Sequence, residues 1–519
     1  FIDSPQDLSP TKAIEHILHL RDKIHSGKEI KSSELYTIAQ TSEGNKTKLH
    51  LDRDYFTHGL IPAIAEAKDS IHLAMLTLDG GELGEFVVDL LIQKKQENPD
   101  IAIRILVDDF GSDALFCCSA GSRNLQRLTE VGIDVELNHF FLEGMEHRKL
   151  LIVDGKKAFF GGACFGDEYF GNEEFWDAYT RVQDTPDFDR RVIFYPESLP
   201  KIPSPFEITP EMELPEYHDF GVEFEGPTVR NLQASFLQTW MLQENDLEPN
   251  TDPADFISRY FPQTTVSETD TAPIKLVHGI PKGESEYRQS ILEIIDAAKG
   301  TLDLHFAYIL IPEFINAVKA AAERGVQVRI LIPGEEGTDK ESTWSAFRYY
   351  YPRLLRTGNV EIYEFHTYNH CKFLVADKRL IFTSTGNPEY NSWENGTDET
   401  ALIDSPKLAD EIERRVFDVD LAENRSRQIQ LDEVTRISIW ARIKQWFYLL
   451  LFFLFQRPTE PRRPRRNLVL DPDQRQAQQR ANYPMQTVTL ASQEAHLANP
   501  VTPSPVEPCP DEPKKAVRG

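Results

Sequence analysis

The sequence predicts an α/β protein made of two tandem repeats that pack with pseudo-twofold symmetry. Three observations support this prediction: similar segments recur along the chain, they recur at a nearly constant separation, and each copy alternates helical segments with short β-branched runs. With 519 residues, 40% of them hydrophobic, the chain is long enough for two or three domains with real cores.

The duplication is visible in two pairs of segments. AKDSIHLAM, from Ala67, parallels AKGTLDLHF, from Ala298, and the two are 298 − 67 = 231 residues apart. HRKLLIVDGKKAFFGG, from His147, parallels HCKFLVADKRLIFTSTGN, from His370, and these are 370 − 147 = 223 residues apart. Because the separation is nearly constant, we expect two structurally equivalent halves with a cleft between them.

Changes in composition predict the remaining boundaries. Residues 184–217 are acidic and Pro-rich and have no counterpart in the second half, and residues after 457 are rich in Pro, Gln and Asn. The predicted organisation is an N-terminal helical extension (1–50), a first repeat (51–247) with an insertion (184–217), a linker (248–275), a second repeat (276–425), an apolar segment (426–456) and a disordered tail (457–519).

The apolar segment predicts contact with a membrane surface. ISIWARIKQWFYLLLFFLFQ, residues 437–456, contains an uncharged apolar run from Trp446 to Phe455. That run is shorter than the roughly 20 residues that span a bilayer. Its Trp, Tyr and basic flanks favour an anchor in the interface of anionic lipid, and the alternative is a helix that docks on the protein core.

Charge and cysteine content exclude several classes of function. A net charge of −27 opposes binding to nucleic acid phosphates. The five cysteines are odd in number, sparse and without zinc-ligand spacing, which argues against a disulfide framework. We expect no metal, no cofactor and no obligate protein partner.

The repeated motif can act on a phosphodiester. Residues i and i+2 of a strand face the same way, so His147 shares a face with Lys149, and His370 with Lys372. If the two motifs converge, one neutral imidazole can attack phosphorus while the second, protonated, gives its proton to the leaving alkoxide. The two ammonium groups can stabilise charge on the nonbridging oxygens.

These motifs resemble those of the phospholipase D superfamily, whose repeated signature is HxKxxxxDxxxxxxGSxN. The matching positions are His147, Lys149, Asp154, Gly161, Gly162 and Cys164 in the first copy, and His370, Lys372, Asp377, Ser384, Thr385 and Asn387 in the second. The resemblance is strongest to bacterial-type cardiolipin synthases and covers roughly residues 50–425. It implies that each repeat is a mixed β-sheet flanked by helices.

The resemblance also implies roles for these residues. The two His/Lys pairs, with Asp154 and Asp377, would be catalytic, and either histidine could be the nucleophile, with a weak preference for His147. Asn387, Ser384 and Gly162 would bind the substrate phosphate. Acids that orient the imidazoles would be Asp398 or Glu399 in the second half and Asp177 or Asp219 in the first. Cys164 departs from the pattern because it stands where the family has asparagine.

The resulting expectation is a membrane-associated phosphatidyltransferase of the cardiolipin synthase type, acting on a phosphatidylglycerol-like lipid. Rival interpretations are a phospholipase D hydrolase, a nuclease and a catalytically silent membrane-binding protein. Sparse cysteines and the basic apolar segment favour the cytoplasmic face of a bacterial membrane, and export remains open.

Overall fold

The computed structural model describes most of the two predicted repeats. The described residues are 10–26, 28, 40–78, 81–108, 120–138, 145–170, 217–242, 251–263, 269, 271–279 and 286–455. All of them belong to one compact unit, Phe1–Pro464. The candidate Asp177, the predicted tail and all of the predicted insertion except Tyr217 lie outside this part of the chain.

Most of the described strands join one mixed sheet. In chain order the strands are β1 (Gln40–Leu51), β2 (Ser70–Met75), β3 (Ala102–Asp108), β4 (Asp134–Asn138), β5 (Met145–Glu146), β6 (Lys149–Val153), β7 (Lys157–Gly161), β8 (Tyr217–His218), β9 (Phe220–Glu225), β10 (Ala272–His278), β11 (Thr301–Phe306), β12 (Gln327–Pro333), β13 (Val360–Phe365), β14 (Tyr368–Asn369), β15 (Lys372–Ala376), β16 (Leu380–Ser384), β17 (Gly396–Thr397), β18 (Glu399–Asp404) and β19 (Ser426–Gln428).

Helices flank this sheet. They are α1 (Pro10–His25), α2 (Ile61–Glu66), α3 (Glu82–Glu97), α4 (Ala120–Glu130), α5 (Asp167–Phe170), α6 (Thr228–Leu242), α7 (Pro253–Tyr260), α8 (Glu286–Ala297), α9 (Pro312–Glu323), α10 (Glu341–Arg348), α11 (Tyr351–Leu355), α12 (Pro406–Ile412), α13 (Asp418–Asp420), α14 (Leu431–Thr435) and α15 (Ile439–Phe455), with π-helical turns at Tyr55–Leu60, Asn391–Asn395 and Glu413–Phe417.

The order of the strands repeats the duplication of the sequence. Within the described residues the large sheet runs β19-β13-β12-β11-β15-β16-β18-β10-β1-β9-β7-β6-β2-β3-β4. Outward from the central antiparallel pair β10–β1, each side has antiparallel strands followed by three parallel ones, and on the second-repeat side β19 adds an antiparallel strand at the edge. The prediction of an α/β protein with two tandem repeats is therefore confirmed.

The two repeats share a core. One apolar cluster contains residues from both halves, and within it the rings of Phe220 and Phe373 meet edge to face with centroids 4.6 Å apart. Two further clusters lie within the first and the second repeat. Because burial of apolar area is the main favourable term in folding, the shared cluster holds the two halves in a fixed relation.

Three predicted boundaries differ from the structure. Residues 40–50, assigned to the N-terminal extension, form all but the last residue of β1, which lies at the centre of the sheet and pairs with β9 and β10. The linker 248–275 contains α7, which buries Phe256 and Tyr260, and the first residues of β10. The segment 426–456 begins with β19, which pairs with β13 at the sheet edge.

The C-terminal helix α15 packs against α10 on the second repeat. Leu449 is buried there, and Tyr448 and Phe452 pack against the same core. Among the described residues, none of the helices combines the length and the apolar character needed to cross a bilayer.

Candidate active site

Two short strand pairs bring the motifs of the two repeats together. β5 pairs with β17, and the N–H of the next residue, His147, donates to the carbonyl of Thr397 at 3.1 Å. β8 pairs with β14, and the N–H of His370 donates to the carbonyl of His218 at 2.8 Å. Each of the two motifs therefore begins beside a segment that comes from the other repeat.

Each histidine contacts a carboxylate of the opposite repeat. Nδ1 of His147 lies 2.9 Å from Oδ1 of Asp398, and Nδ1 of His370 lies 2.8 Å from Oδ2 of Asp219. Both carboxylates are buried, and the side chains of His147 and His370 are 9% and 12% exposed. Held by Nδ1, each ring keeps Nε2 available for chemistry.

The lysines of the motifs lie beside these histidines. Nζ of Lys149 donates to the carbonyl of His147 at 2.7 Å, and Nζ of Lys372 donates to the carbonyl of His370 at 2.6 Å. Nζ of Lys372 is also 3.0 Å from Nε2 of His370. Both lysines are buried, which concentrates positive charge where an anionic phosphate would be held.

Burial and these charges keep both imidazoles neutral. Burial, with the charge of Lys149, lowers the pKa of His147 to about 4, although Asp398 opposes the shift. Burial and the charges of Lys372 and Lys149 lower the pKa of His370 well below its usual value. At neutral pH the resting site therefore contains two unprotonated imidazoles.

The two carboxylates differ in their proton affinity. Burial raises the pKa of Asp219 to about 7, although Lys372 opposes the shift. Burial would also raise the pKa of Asp398, but its electrostatic interaction with His147 and the hydrogen bonds from His147 and Thr385 outweigh burial, so this pKa lies below its ordinary value. Asp398 is thus ionised at neutral pH, whereas Asp219 can hold a proton.

A sequence difference between the repeats accounts for part of this contrast. Thr385 donates its hydroxyl to Oδ1 of Asp398 at 2.7 Å. The equivalent position in the first repeat is Gly162, and a Cβ built there would lie 2.2 Å from Oδ2 of Asp219. Gly162 supplies no hydroxyl, so Asp219 lacks the side-chain hydrogen bond that Thr385 gives to Asp398, although its Oδ1 accepts the N–H of Phe220 at 2.8 Å.

The structure places Asp154 and Asp377 away from the two histidines. The sequence analysis had grouped them with the catalytic residues. They follow the far ends of β6 and β15, the strands that start at the motif lysines. Both have positive φ, 53° and 52°, and their carboxylates accept backbone N–H groups, of residues 68–70 and 299–301 respectively. They fix turns and do not reach the site, which corrects their assignment as catalytic groups.

Two further predicted site residues bond within the protein. The hydroxyl of Ser384 contacts the carbonyl of Glu399, the N–H of Gly386 and the hydroxyl of Thr400. The carboxylate of Glu399 accepts from Ser235 and lies 3.0 Å from Nδ1 of His278. Neither side chain contacts His147 or His370, so the structure corrects the assignments of Ser384 as a phosphate ligand and of Glu399 as an orienting acid.

The asparagine position of the motif differs between the two halves. Asn387 is buried, and its side-chain oxygen has no hydrogen-bond partner among the described residues. At the equivalent place lies the buried thiol of Cys164. The asparagine position of the motif therefore carries an amide, which can both donate and accept hydrogen bonds, on one side of the site only.

Tyrosines around His370 were missed by the sequence reasoning. The hydroxyl of Tyr169 lies 3.3 Å from Nδ1 of His370, and the rings of Tyr217 and Tyr368 lie within 6.1 Å of the imidazole. Only Tyr169 had a signal in the sequence, the GDEY that follows the first motif.

In the part of the chain that the structure describes, no group of three His, Cys, Asp or Glu residues could hold a metal ion.

Comparisons with known proteins agree with this architecture. The family described as "Cardiolipin synthase, PLD-like domain" matches residues 60–187 and 291–419, one stretch in each repeat. Cardiolipin synthase 1 of Bacillus cereus is 27% identical over 417 residues, 78% of this chain and 72% of that protein. Cardiolipin synthase of Listeria innocua is 25% identical over 412 residues, 78% of this chain and 74% of that protein.

A solved structure shows the same fold. Phosphatidylserine synthase of Haemophilus influenzae Rd KW20 has a TM-score of 0.56 and 13% identity, with 85% of this chain and 99% of that chain covered. The repeated family match and the similarity to bacterial cardiolipin synthases along most of the sequence agree with the paired His/Lys motifs. The chain therefore belongs to the phospholipase D superfamily, in which it is an enzyme of the phosphatidyltransferase type.

Proposed function

We propose that the protein is a cardiolipin synthase-type phosphatidyltransferase, which moves a phosphatidyl group from one phosphatidylglycerol to the terminal hydroxyl of another and releases glycerol. The proposal depends on one observation: each repeat supplies the carboxylate that contacts the histidine of the other repeat. His147 contacts Asp398, and His370 contacts Asp219. We call this arrangement the exchange of carboxylates. It supplies two oriented imidazoles with different carboxylate partners. The similarity to cardiolipin synthases supports the choice of lipid.

His147 is the proposed nucleophile. Its Nδ1–H donates to an ionised Asp398, so the lone pair of Nε2 is free, and a pKa of about 4 keeps the ring unprotonated at neutral pH. Nε2 attacks phosphorus, a P–N bond forms and the bond from phosphorus to the glycerol oxygen breaks. Lys149 and Lys372 stabilise the charge on the nonbridging oxygens.

His370 and Asp219 are the proposed acid/base pair. With a pKa of about 7, Asp219 holds a proton in part of the molecules at neutral pH and lies within hydrogen-bond distance of the imidazole. Bound phosphodiester offsets the lysine charges that hold the pKa of His370 down, so the pair can deliver its proton from His370 to the leaving glycerolate. His370 then accepts the proton of the incoming alcohol, whose oxygen attacks phosphorus and releases His147.

Mass spectrometry of lipid products tests the reaction. Purified protein is incubated with phosphatidylglycerol vesicles beside His147→Ala and His370→Ala, and we expect cardiolipin and glycerol only from the unmodified protein. Phosphatidic acid in place of cardiolipin would identify a hydrolase. No lipid turnover by the unmodified protein would refute the proposal.

A substrate with a better leaving group separates the two histidines. Nitrophenolate departs without help from an acid, so His370→Ala is expected to retain a first burst of nitrophenol release from phosphatidyl-p-nitrophenol, whereas His147→Ala releases none. The opposite pattern would exchange the two roles.

A further inference from the structure

Helix α15 presents an apolar stripe to solvent. Ile439, Trp440, Ile443, Trp446 and Phe447 recur at helical spacing, and Trp440 and Ile439 are 75% and 69% exposed. They are most of the large hydrophobic side chains that are exposed in the described part of the chain. A concentrated apolar patch of this kind is typical of an interaction surface.

The opposite face of the same helix is attached to the protein. Leu449 is buried in the core of the second repeat, Tyr448 and Phe452 pack beside it, and Lys444 pairs with Glu341 of α10. The helix thus lies along the surface of the body with its stripe directed away from it. This one-sided packing is the geometry of a helix that lies in the plane of an interface.

The charges around the stripe suit an anionic surface. Residues Ile439–Phe455 include no acid, and at 3.6 residues per turn Arg442 lies on one side of the stripe and Lys444, which pairs with Glu341, on the other. The sequence continues with RPTEPRRPRR from Arg457. In a chain with a net charge of −27, this local excess of cations is complementary to acidic lipid headgroups.

A short series of contacts connects the helix to the active site. Lys340 immediately precedes Glu341 and lies over the ring of Tyr308 at 5.5 Å, and the hydroxyls of Tyr308 and Tyr368 are 2.6 Å apart. The ring of Tyr368 is 5.6 Å from that of His370. α15 is thus held by a helix whose start lies next to the cleft.

We propose that the stripe of α15 docks the enzyme on an anionic phospholipid surface, with Ile439, Trp440, Ile443, Trp446 and Phe447 seated at the level of the headgroups. The inference rests on the proposed function for the identity of the lipid and extends it by assigning the surface that meets the bilayer. It requires that binding depend on these side chains and on anionic lipid, and that it not depend on the catalytic histidines.

Sedimentation with vesicles tests this surface. The full chain is mixed with vesicles of phosphatidylglycerol or of phosphatidylcholine, and the bound fraction is compared for the unmodified protein, the double variant Trp440→Ser/Trp446→Ser and the matched control Tyr349→Ser. Tyr349 is 40% exposed and lies outside α15. Thermal unfolding of each variant verifies that it is folded.

We expect the double variant to bind phosphatidylglycerol vesicles at least about tenfold more weakly, because large apolar side chains provide most of the affinity of interfacial helices. Tyr349→Ser and His147→Ala should bind as the unmodified protein does. Phosphatidylcholine vesicles, or high salt, should reduce binding by the unmodified protein.

Equal binding by the double variant and the unmodified protein would overturn the inference. The inference would also be overturned if light scattering showed that the unmodified protein is a dimer and the double variant a monomer, with vesicle binding unaltered. The stripe would then be an interface between copies of the chain. If the stripe variant loses binding while the unmodified protein turns over no lipid, the docking surface stands and the proposed reaction fails. If lipid is turned over and binding is independent of the stripe, the proposed reaction stands and the docking surface fails.

Discussion

Replacing Thr385 by valine should disturb the nucleophile through its carboxylate. The change removes a hydroxyl that donates to Oδ1 of Asp398 at 2.7 Å and accepts the N–H of Glu399 at 3.1 Å, and Oδ2 of Asp398 already lacks a partner among the described residues. A hydrogen bond to a charged group contributes about 1.5–3 kcal/mol. We expect the free energy of unfolding to fall by about 2–4 kcal/mol, with a similar loss of transition-state stabilisation.

A neighbouring threonine provides the matched control. Thr383 is buried in the same strand region, but its hydroxyl has no partner in the described structure. Thr383→Val makes the same chemical change without breaking a hydrogen bond, so stability and kcat/KM should stay within about 0.5 kcal/mol of the unmodified protein. Urea unfolding and product formation are measured for both variants.

The effect of Thr385→Val on stability should depend on pH. The folded state lowers the pKa of Asp398, so its contribution to stability is present above the unfolded pKa, 3.8, and is lost as the pH falls through the lower folded value. The stability difference between Thr385→Val and the unmodified protein should therefore shrink below about pH 4. Equal behaviour of the two valine variants, or a difference that does not change with pH, would refute the reasoning.

Three further predictions concern other parts of the site. Asp398→Asn should reduce kcat by about 10²–10⁴-fold, because it changes the tautomer held at His147, whereas the adjacent Glu399→Gln should chiefly lower the unfolding temperature; comparable kcat losses would contradict the assignment. Since burial lowers the pKa of Lys372 to about 8, kcat/KM should fall as the pH rises through 8, and a flat profile to pH 10 would exclude this lysine as the charged group. Asp377→Asn should cost about 1–3 kcal/mol of stability in thermal unfolding with little change in KM, and a specific loss of activity would restore it to the catalytic group.

The sequence was sufficient for the repeats and for the convergence of the motifs. The period of two along a strand places each lysine on the face of its histidine, and the duplicated motif predicts a pseudo-twofold body, so both inferences follow from patterns in the sequence. The same reasoning could not choose between Asp398 and Glu399. They are adjacent at the start of β18 and face opposite ways, and which one meets His147 depends on where that strand lies in the sheet.

Other features depend on contacts between residues far apart in the chain. The predicted extension ended at residue 50, inside β1, yet this strand is central because its backbone pairs with both halves. His147 and Asp398 are 251 residues apart, so no local pattern links them. The sequence could not show that Asp154 has a structural role, because an aspartate at this position of the motif could be either catalytic or structural. Its hydrogen bonds from the N–H groups of residues 68–70 show the structural role.

The exchange of carboxylates has a consequence for any attempt to divide the enzyme. A fragment that holds only the first repeat retains His147 but lacks Asp398, and a fragment of the second retains His370 but lacks Asp219. Under the proposed mechanism neither fragment would be active alone, and each would need the other repeat in trans. The activity regained on mixing two inactive fragments would then measure the fraction of fragments that have associated. The reaction could therefore report how tightly the two halves bind each other.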